Sequence, residues 1–366
     1  MENSSKQIVP PHLNAEVYRT DTTGTSTLAY LDHIHATSDG SILIGCSELT
    51  GRYWNGGVSI FKNISQAKET LSSTKKSIHL NTGTTDGCFI ENSTKVLLCE
   101  DSGSVSIWSH NVDDAWKQWN EDVSAAEHDD AVMAVDCLDS GKQYVTVGAD
   151  GNVKVWDIAE MICTRNYSAA HGMAIYGVSV RPHTTTSFAT GSLDQYVSLW
   201  DDNVCKPVLD LAKNNCGVRC LQWVDENRLI FGDEEGTLRI LDVRKPDLVT
   251  NIAEFPAPVH RLAVNSKCEM VAVCCDNKIV TVCDVNKTAI VYHDRHLHSN
   301  YVRGLIWDET EEQTLHSVGW DSEIKTHTVR GRGRAPLGRG SGCRAAAAGG
   351  TWALEAHHSV QVTEPD

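Results

Sequence analysis

The sequence predicts an all-β fold, a seven-bladed β-propeller, and two kinds of observation carry that prediction. The first is a repeated phrase: Asp150-Gly151-Asn152-Val153-Lys154-Val155-Trp156-Asp157 returns as Asp194-Gln195-Tyr196-Val197-Ser198-Leu199-Trp200-Asp201. Each copy reads as a tight acidic turn and an alternating strand, with Val153 and Val155 inward and Lys154 outward, ending in an aromatic residue and Asp. The second is spacing. The strand-end position recurs at Phe61, Trp108, Trp156, Trp200, Leu241, Cys283 and His327, at separations of 47, 48, 44, 41, 42 and 44 residues. A period of about 40 to 45 residues is the spacing of four-stranded propeller blades, and seven of them can close a ring.

Taken in order, residues 1–15 read as a polar, Pro-containing flexible arm, residues 16–329 as the propeller, and residues 330–366 as a disordered tail rich in Arg, Gly and Ala. A strand near Val17 is expected to tie the start of the chain into the last blade, because closure removes an open sheet edge. Blade one holds the strand Ser41-Ile42-Leu43-Ile44-Gly45-Cys46, followed by a turn-rich loop from Glu48 to Gly57 that carries Arg52, Tyr53 and Trp54. Arg and aromatic residues on a loop are the composition of an interface anchor. Blade two carries Lys95-Val96-Leu97-Leu98-Cys99 and an acidic loop around Trp116 and Trp119.

Blades three and four are the most regular, and their Trp-Asp endings make this a WD-repeat propeller. His128 precedes Asp150 and Trp156, and His171 precedes Asp194 and Trp200. A buried His can bridge the turn carboxylate while the indole N–H finds its own partner, giving each blade a polar lock. Blade seven keeps His298 and Asp321 but ends in His327, and blades five and six are worn, with Leu241 and Cys283 at the Trp position.

Charge and cysteine usage bound the partners and the compartment. The net charge is −16, and since residues 330–366 carry +2, the propeller region carries −18. Such a body repels nucleic acid and attracts basic proteins, and the loops Asp129-Asp130, Asp201-Asp202 and Asp233-Glu234-Glu235 are the expected points of attraction. No apolar run of about 18 residues exists, and no signal-like segment follows Met1, so neither a membrane span nor secretion is expected. The thirteen cysteines show no paired C-x-x-C spacing. Cys46, Cys99, Cys137, Cys220, Cys274 and Cys283 fall in or beside strand-like runs, as reduced core residues do, which places the chain in the cytosol or nucleus.

No constellation carries chemistry. The nucleophile elbow, the phosphate-binding loop and the His-Glu-x-x-His motif are all missing, so the chain reads as non-enzymatic and without a cofactor. His293, His296 and His298 are the nearest approach to a metal site, but no Cys pair accompanies them, and none is expected to hold metal. His33 and His35 read as ordinary histidines on one strand face.

Four phrases together carry a family resemblance. They are Gly51-Arg52-Tyr53-Trp54 before Gly57-Val58-Ser59-Ile60-Phe61-Lys62, Glu127-His128-Asp129-Asp130-Ala131-Val132, Tyr301-Val302-Arg303, and Ser317-Val318-Gly319-Trp320-Asp321. Across about residues 30–329 the chain resembles the methylosome protein 50 family, the WD-repeat partners of the type II, symmetric protein arginine methyltransferase. The resemblance implies a non-catalytic adaptor that docks on the N-terminal barrel domain of the methyltransferase through a blade-one Trp, with four copies of each chain. Arg52 and Trp54 are the carried-over contacts, and Tyr53 between them is our addition. The resemblance further implies that Arg-rich substrates, such as Sm proteins and histones, are held near the partner's active site.

Alternative readings are a substrate receptor of a cullin-type ubiquitin ligase, because Asp242-Val243-Arg244 resembles the Asp-x-Arg end of the box those receptors use, another WD-repeat scaffold, and a hydrolase or other enzyme with its site in the central channel. The tail departs from the family's ending. Its Arg330-Gly331-Arg332-Gly333-Arg334 and Gly338-Arg339-Gly340 resemble methyl-acceptor sequences, with Arg332 and Arg339 as the candidate acceptors.

Overall fold

The computed structural model describes residues 30–50, 53–73, 76–90, 92–111 and 118–329, with backbone alone at 49–50 and 53–54. The expected strand near Val17, Trp116 of the blade-two loop, and the tail with Arg332 and Arg339 lie outside the described residues. So does Arg52.

Seven antiparallel meanders account for the described chain, in blades spanning residues 30–80, 84–126, 132–167, 175–213, 218–254, 259–294 and 302–328. Six have four strands, and the seventh has three among the described residues. Each strand-end residue named above falls in the third strand of its blade, from Phe61 in Tyr53–Phe61 to His327 in Ile324–Thr328. A short helix, Ile64–Thr70, interrupts blade one, and the Asn63 side chain caps it by accepting the Gln66 N–H at 2.8 Å.

The core sits between blades, because a flat four-stranded sheet must bury both faces. Seven apolar clusters form, one per junction: Val145, Val153 and Tyr167 of blade three, for example, meet Ile175, Phe188 and Trp200 of blade four. Leu31, Ile34 and Ile44 of blade one meet Val318 of blade seven, so described residues close the ring. Two-sided burial corrects one expectation. Lys154, expected to face outward, is 3% exposed, because the neighbouring blade covers the face it points to.

A second expectation is also corrected. Glu48 to Gly57 is not mainly a loop: Ile42–Thr50 and Tyr53–Phe61 pair without a break from Ile42↔Phe61 to Thr50↔Tyr53. The glycines that suggested a turn have another cause. A Cβ on Gly56 would lie 2.2 Å from the Thr82 carbonyl oxygen, and one on Gly57 2.3 Å from that of Ile78, so both admit the backbone of the following strand.

Antiparallel alternation divides the connections between two ends. Turns between second and third strands share one end with the crossovers from each blade to the next, while the third-to-fourth turns lie at the other. The first will be called the lock end.

Candidate functional site

At the lock end blade one differs from the rest. Its second and third strands are nine residues each, against five or six in every other blade, so this hairpin extends beyond its neighbours. Tyr53 and Trp54 are strand residues in its last turn-proximal pairs, opposite Thr50 and Leu49. The hairpin base is braced by Lys76 Nζ, 3.4 Å from Glu48 Oε2, with both groups largely buried.

The locks at this end form hydrogen-bonded chains. In blade three His128 Nδ1 lies 3.0 Å from Asp150 Oδ2, His128 Nε2 lies 3.0 Å from Thr146 Oγ1, and Trp156 Nε1 donates to Thr146 at 2.8 Å. The Asp150 carboxylate can only accept, so Nδ1–H donates to it, and in the neutral ring Nε2 then accepts from the Thr146 hydroxyl, whose oxygen takes the indole N–H. His171, Asp194, Thr190 and Trp200 repeat the chain at 2.9, 2.7 and 2.8 Å. Blade seven uses His298, Asp321 and Ser317, and His327 Nε2 stands 2.7 Å from Ser317 Oγ where the indole would be. Burial lowers the pKa of His128 and His298. Burial pushes Asp150 upward, but the Asn152 N–H, the His128 ring and the Asp129 N–H hold it below its ordinary value.

The worn blades depart in a way the sequence does not spell out. In blade five the carboxylate is Asp233, fully buried, accepting from Asn214 Nδ2 at 3.0 Å and the Thr237 N–H at 2.8 Å and paired with Arg239. Register places Phe231 where Thr190 stands and Leu241 where Trp200 stands. Blade six puts Val273 and Cys283 at those positions.

A central channel of about 820 Å³ is lined from Asp32 and Trp320 at the lock end to Ser38 and Ser140 at the other. Each first strand carries a bulge near its start, and the residue thrown out of register faces the mouth: Asp32, Thr85, Met133, Tyr176, Arg219, His260 and Arg303, one per blade. Sequence reasoning missed this ring. Its only signal was the buried residue preceding each member, as in Val218-Arg219, Val259-His260 and Val302-Arg303. Deeper in the channel wall, Asp86 pairs with Arg261 at 3.1 Å, and the Asp136 and Gln222 side chains accept N–H groups of the next blade's first strand, from Val180 at 2.7 Å and Val264 at 2.8 Å. Those polar groups stitch the ring together.

Comparison with known proteins agrees with this geometry. The family model "WD domain, G-beta repeat" matches residues 123–157 and 162–201, each stretch reaching from the fourth strand of one blade to the third of the next. The chain is a WD-repeat β-propeller. It is similar to "Methylosome protein WDR77" of Xenopus laevis, with 26% identity over 81% of this chain and 88% of that one. Shorter matches fall on a ribosome biogenesis protein WDR12 homolog of Drosophila virilis, 22% identical over 57% of this chain and 55% of that one, and on myosin heavy chain kinase C of Dictyostelium discoideum, 25% identical over 42% and 19%.

Within this WD-repeat frame the remaining expected site residues sort by place. Asp129 and Asp130 are exposed in a crossover at the lock end, and Glu234 and Glu235 in a turn at that same end. Asp233 is not available to a partner, being enclosed by its own blade. Asp201 and Asp202 lie in a third-to-fourth turn at the opposite end, with Asp202 3.5 Å from Arg165 and Asp201 bonded to Asn203. The expected acidic set therefore splits between two ends. No group of three metal-ligating side chains occurs among the described residues. His293 is bonded to Thr281 and Arg295, His296 is exposed, and His298 belongs to its lock. Arg244 folds back on Asp242 at 2.9 Å. His33 departs from the ordinary histidine expected: it is fully buried, neither ring nitrogen has a hydrogen-bond partner, and burial lowers its pKa to about 4.

Proposed function

We propose that this chain is a non-catalytic adaptor that binds a type II protein arginine methyltransferase through the blade-one hairpin and helps present Arg-rich proteins such as Sm proteins and histones. The long hairpin carries the reading. Among the described residues it is the one middle hairpin with strands longer than six residues, and Tyr53 and Trp54 lie in its last pairs, with Arg52 next to them in the sequence. Similarity to a methylosome protein along most of both chains favours the same reading. A large aromatic on a projecting hairpin can enter a partner's pocket at little cost to the propeller, since the body is held by the blade junctions. Exposed carboxylates at the same end, Asp129, Asp130, Glu234 and Glu235, would draw cationic tails toward that partner. Assembly as four copies of each chain, in the cytosol and nucleus, belongs to this proposal, as does methylation of Arg332 and Arg339.

The test is co-purification with the methyltransferase. Trp54→Ala should weaken association by about 2 kcal/mol or more while leaving the thermal transition within a degree or two of the parent. Equal association by parent and variant removes the docking claim. Capture of a cullin adaptor in place of the methyltransferase would favour the ligase reading, and turnover by the isolated chain would overturn the non-catalytic one.

A further inference from the structure

The channel mouth is chemically lopsided. Three consecutive blades, five to seven, contribute Arg219, His260 and Arg303, and all three surround one carboxylate, Asp276, from the second turn of blade six. Register makes Asp276 the counterpart of Trp320 in blade seven, one residue before the lock position, where it meets the channel-lining Arg219, His260 and Arg303.

Asp276 and Asp32, the latter accepting from Trp320 Nε1 at 2.9 Å, match the two arginines in charge, but the guanidiniums keep unused donors and are held in place. Arg303 Nη1 donates to Asp276 Oδ1 at 2.6 Å, and the Arg303 guanidinium lies 4.4 Å from the Trp320 ring and 5.1 Å from that of Tyr301. Its Nε–H is buried with no acceptor. Arg219 stacks 4.8 Å from the Tyr176 ring, and its approach to Asp276 is a long 3.7 Å. His260 Nδ1 stands 4.0 Å from the same carboxylate, and burial together with the neighbouring Arg303, Arg261 and Arg219 keeps the ring neutral. The side chains remain reachable: Arg219 is 21%, His260 25% and Arg303 13% exposed.

We propose that this mouth is a binding site for an acidic peptide, with Arg219 and Arg303 taking one anionic side chain and His260 beside it. Two guanidiniums held by aromatic faces present their forks without losing rotamer freedom on binding, and one internal carboxylate satisfies only part of their donor capacity. Within a body of strongly acidic net charge, it is the geometry of these donors that would select a ligand, and a nucleic acid is repelled over the larger footprint it needs. Tyr301, exposed at the rim, offers a surface for the peptide backbone. Carboxylate and phosphate share this chemistry, and the test separates them. The site is distinct from the hairpin and does not depend on methyltransferase docking.

The experiment is calorimetric titration of the full chain with three eight-residue peptides on one Gly/Ser backbone: one bearing Asp and Glu, one bearing a single phosphoserine, and one with Asn and Gln replacing the acids. An acidic peptide should bind at least about tenfold tighter than the amide control, with affinity falling as salt rises. The tighter of the first two identifies the anion. Arg219→Gln should weaken binding about tenfold. Asp276→Asn removes the internal competitor and should tighten binding about threefold or more, a change of direction that misfolding cannot produce. Equal affinity for all three peptides, Arg219→Gln binding like the parent, or Asp276→Asn binding more weakly would each overturn the proposal.

Discussion

Blades three and four and blades five and six solve one packing problem with different chemistry. The regular pair sets a Thr hydroxyl between His and Trp, so that a buried polar chain runs from the turn carboxylate to the indole. The worn pair discards the hydroxyl and the indole together. Phe231 with Leu241 in blade five, and Val273 with Cys283 in blade six, fill the same register with apolar side chains that are essentially fully buried. Losing both partners at once leaves nothing unsatisfied, which is why the pattern can wear without opening the ring. The carboxylate is then free to move. In blade five it becomes the Asp233–Arg239 pair, and in blade six it pairs with Arg303 as Asp276.

The comparison can be broken most directly at the third-strand end. Trp156→Ala should lower stability by about 3 to 5 kcal/mol, because it empties a fully buried site and removes the indole donor to Thr146, whereas Cys283→Ala at the equivalent register should cost roughly 1 kcal/mol. Urea unfolding of the two variants measures the difference. Similar losses would mean that the worn blade depends on its strand-end residue as much as the regular one does.

The next contrast sets the relocated carboxylate against the hydroxyl relay. Arg239→Met leaves Asp233 buried with only neutral donors and should cost about 3 kcal/mol. Thr190→Val, which removes the partner of both His171 Nε2 and Trp200 Nε1, should cost about 2 kcal/mol. A shallow effect of Arg239→Met would show that Asn214 and the turn N–H groups suffice, and that the ion pair is incidental to blade five.

Acid should sharpen the distinction with the smallest effect. His33 and His327 are fully or almost fully buried, and burial lowers both to about 4, so below pH 6.5 the unfolded chain takes up protons that the native chain refuses. Stability from these groups is present at neutral pH and declines as pH falls from about 6.5 toward 4. Asp136, raised to about 6 by burial, works in the opposite direction with a single proton. These three groups contribute a loss of about 1 kcal/mol per pH unit between pH 6.5 and 5, which the lowered His128, His298 and His260 steepen, and the slope is read from urea midpoints across pH. Restoring the indole with His327→Trp should flatten that slope by close to one proton. An unchanged slope would mean that His327 titrates normally in the native chain.

The sequence alone determined what repeats locally. A four-stranded blade needs a turn, an alternating strand and an end residue at set intervals, so the period, the seven third strands and the His and Asp at their fixed offsets were legible before any coordinates. Burial was less legible wherever it depends on a neighbour. Lys154 looked outward because alternation marks one face polar, and only the adjacent blade decides that this face is covered too. Asp233 looked like part of an acidic loop until Asn214 and Arg239 enclosed it, and Glu48 to Gly57 looked like a loop because glycines that admit a passing backbone are spelled like glycines that make turns. The channel mouth was beyond reach in principle. Arg219, His260 and Arg303 lie about 40 residues apart, one per blade, and no window of sequence contains the carboxylate they share. They converge only because seven strands meet at one axis, so the chain's composition is written along the polymer while this cluster of two arginines, a histidine and their shared carboxylate exists only once the ring has closed.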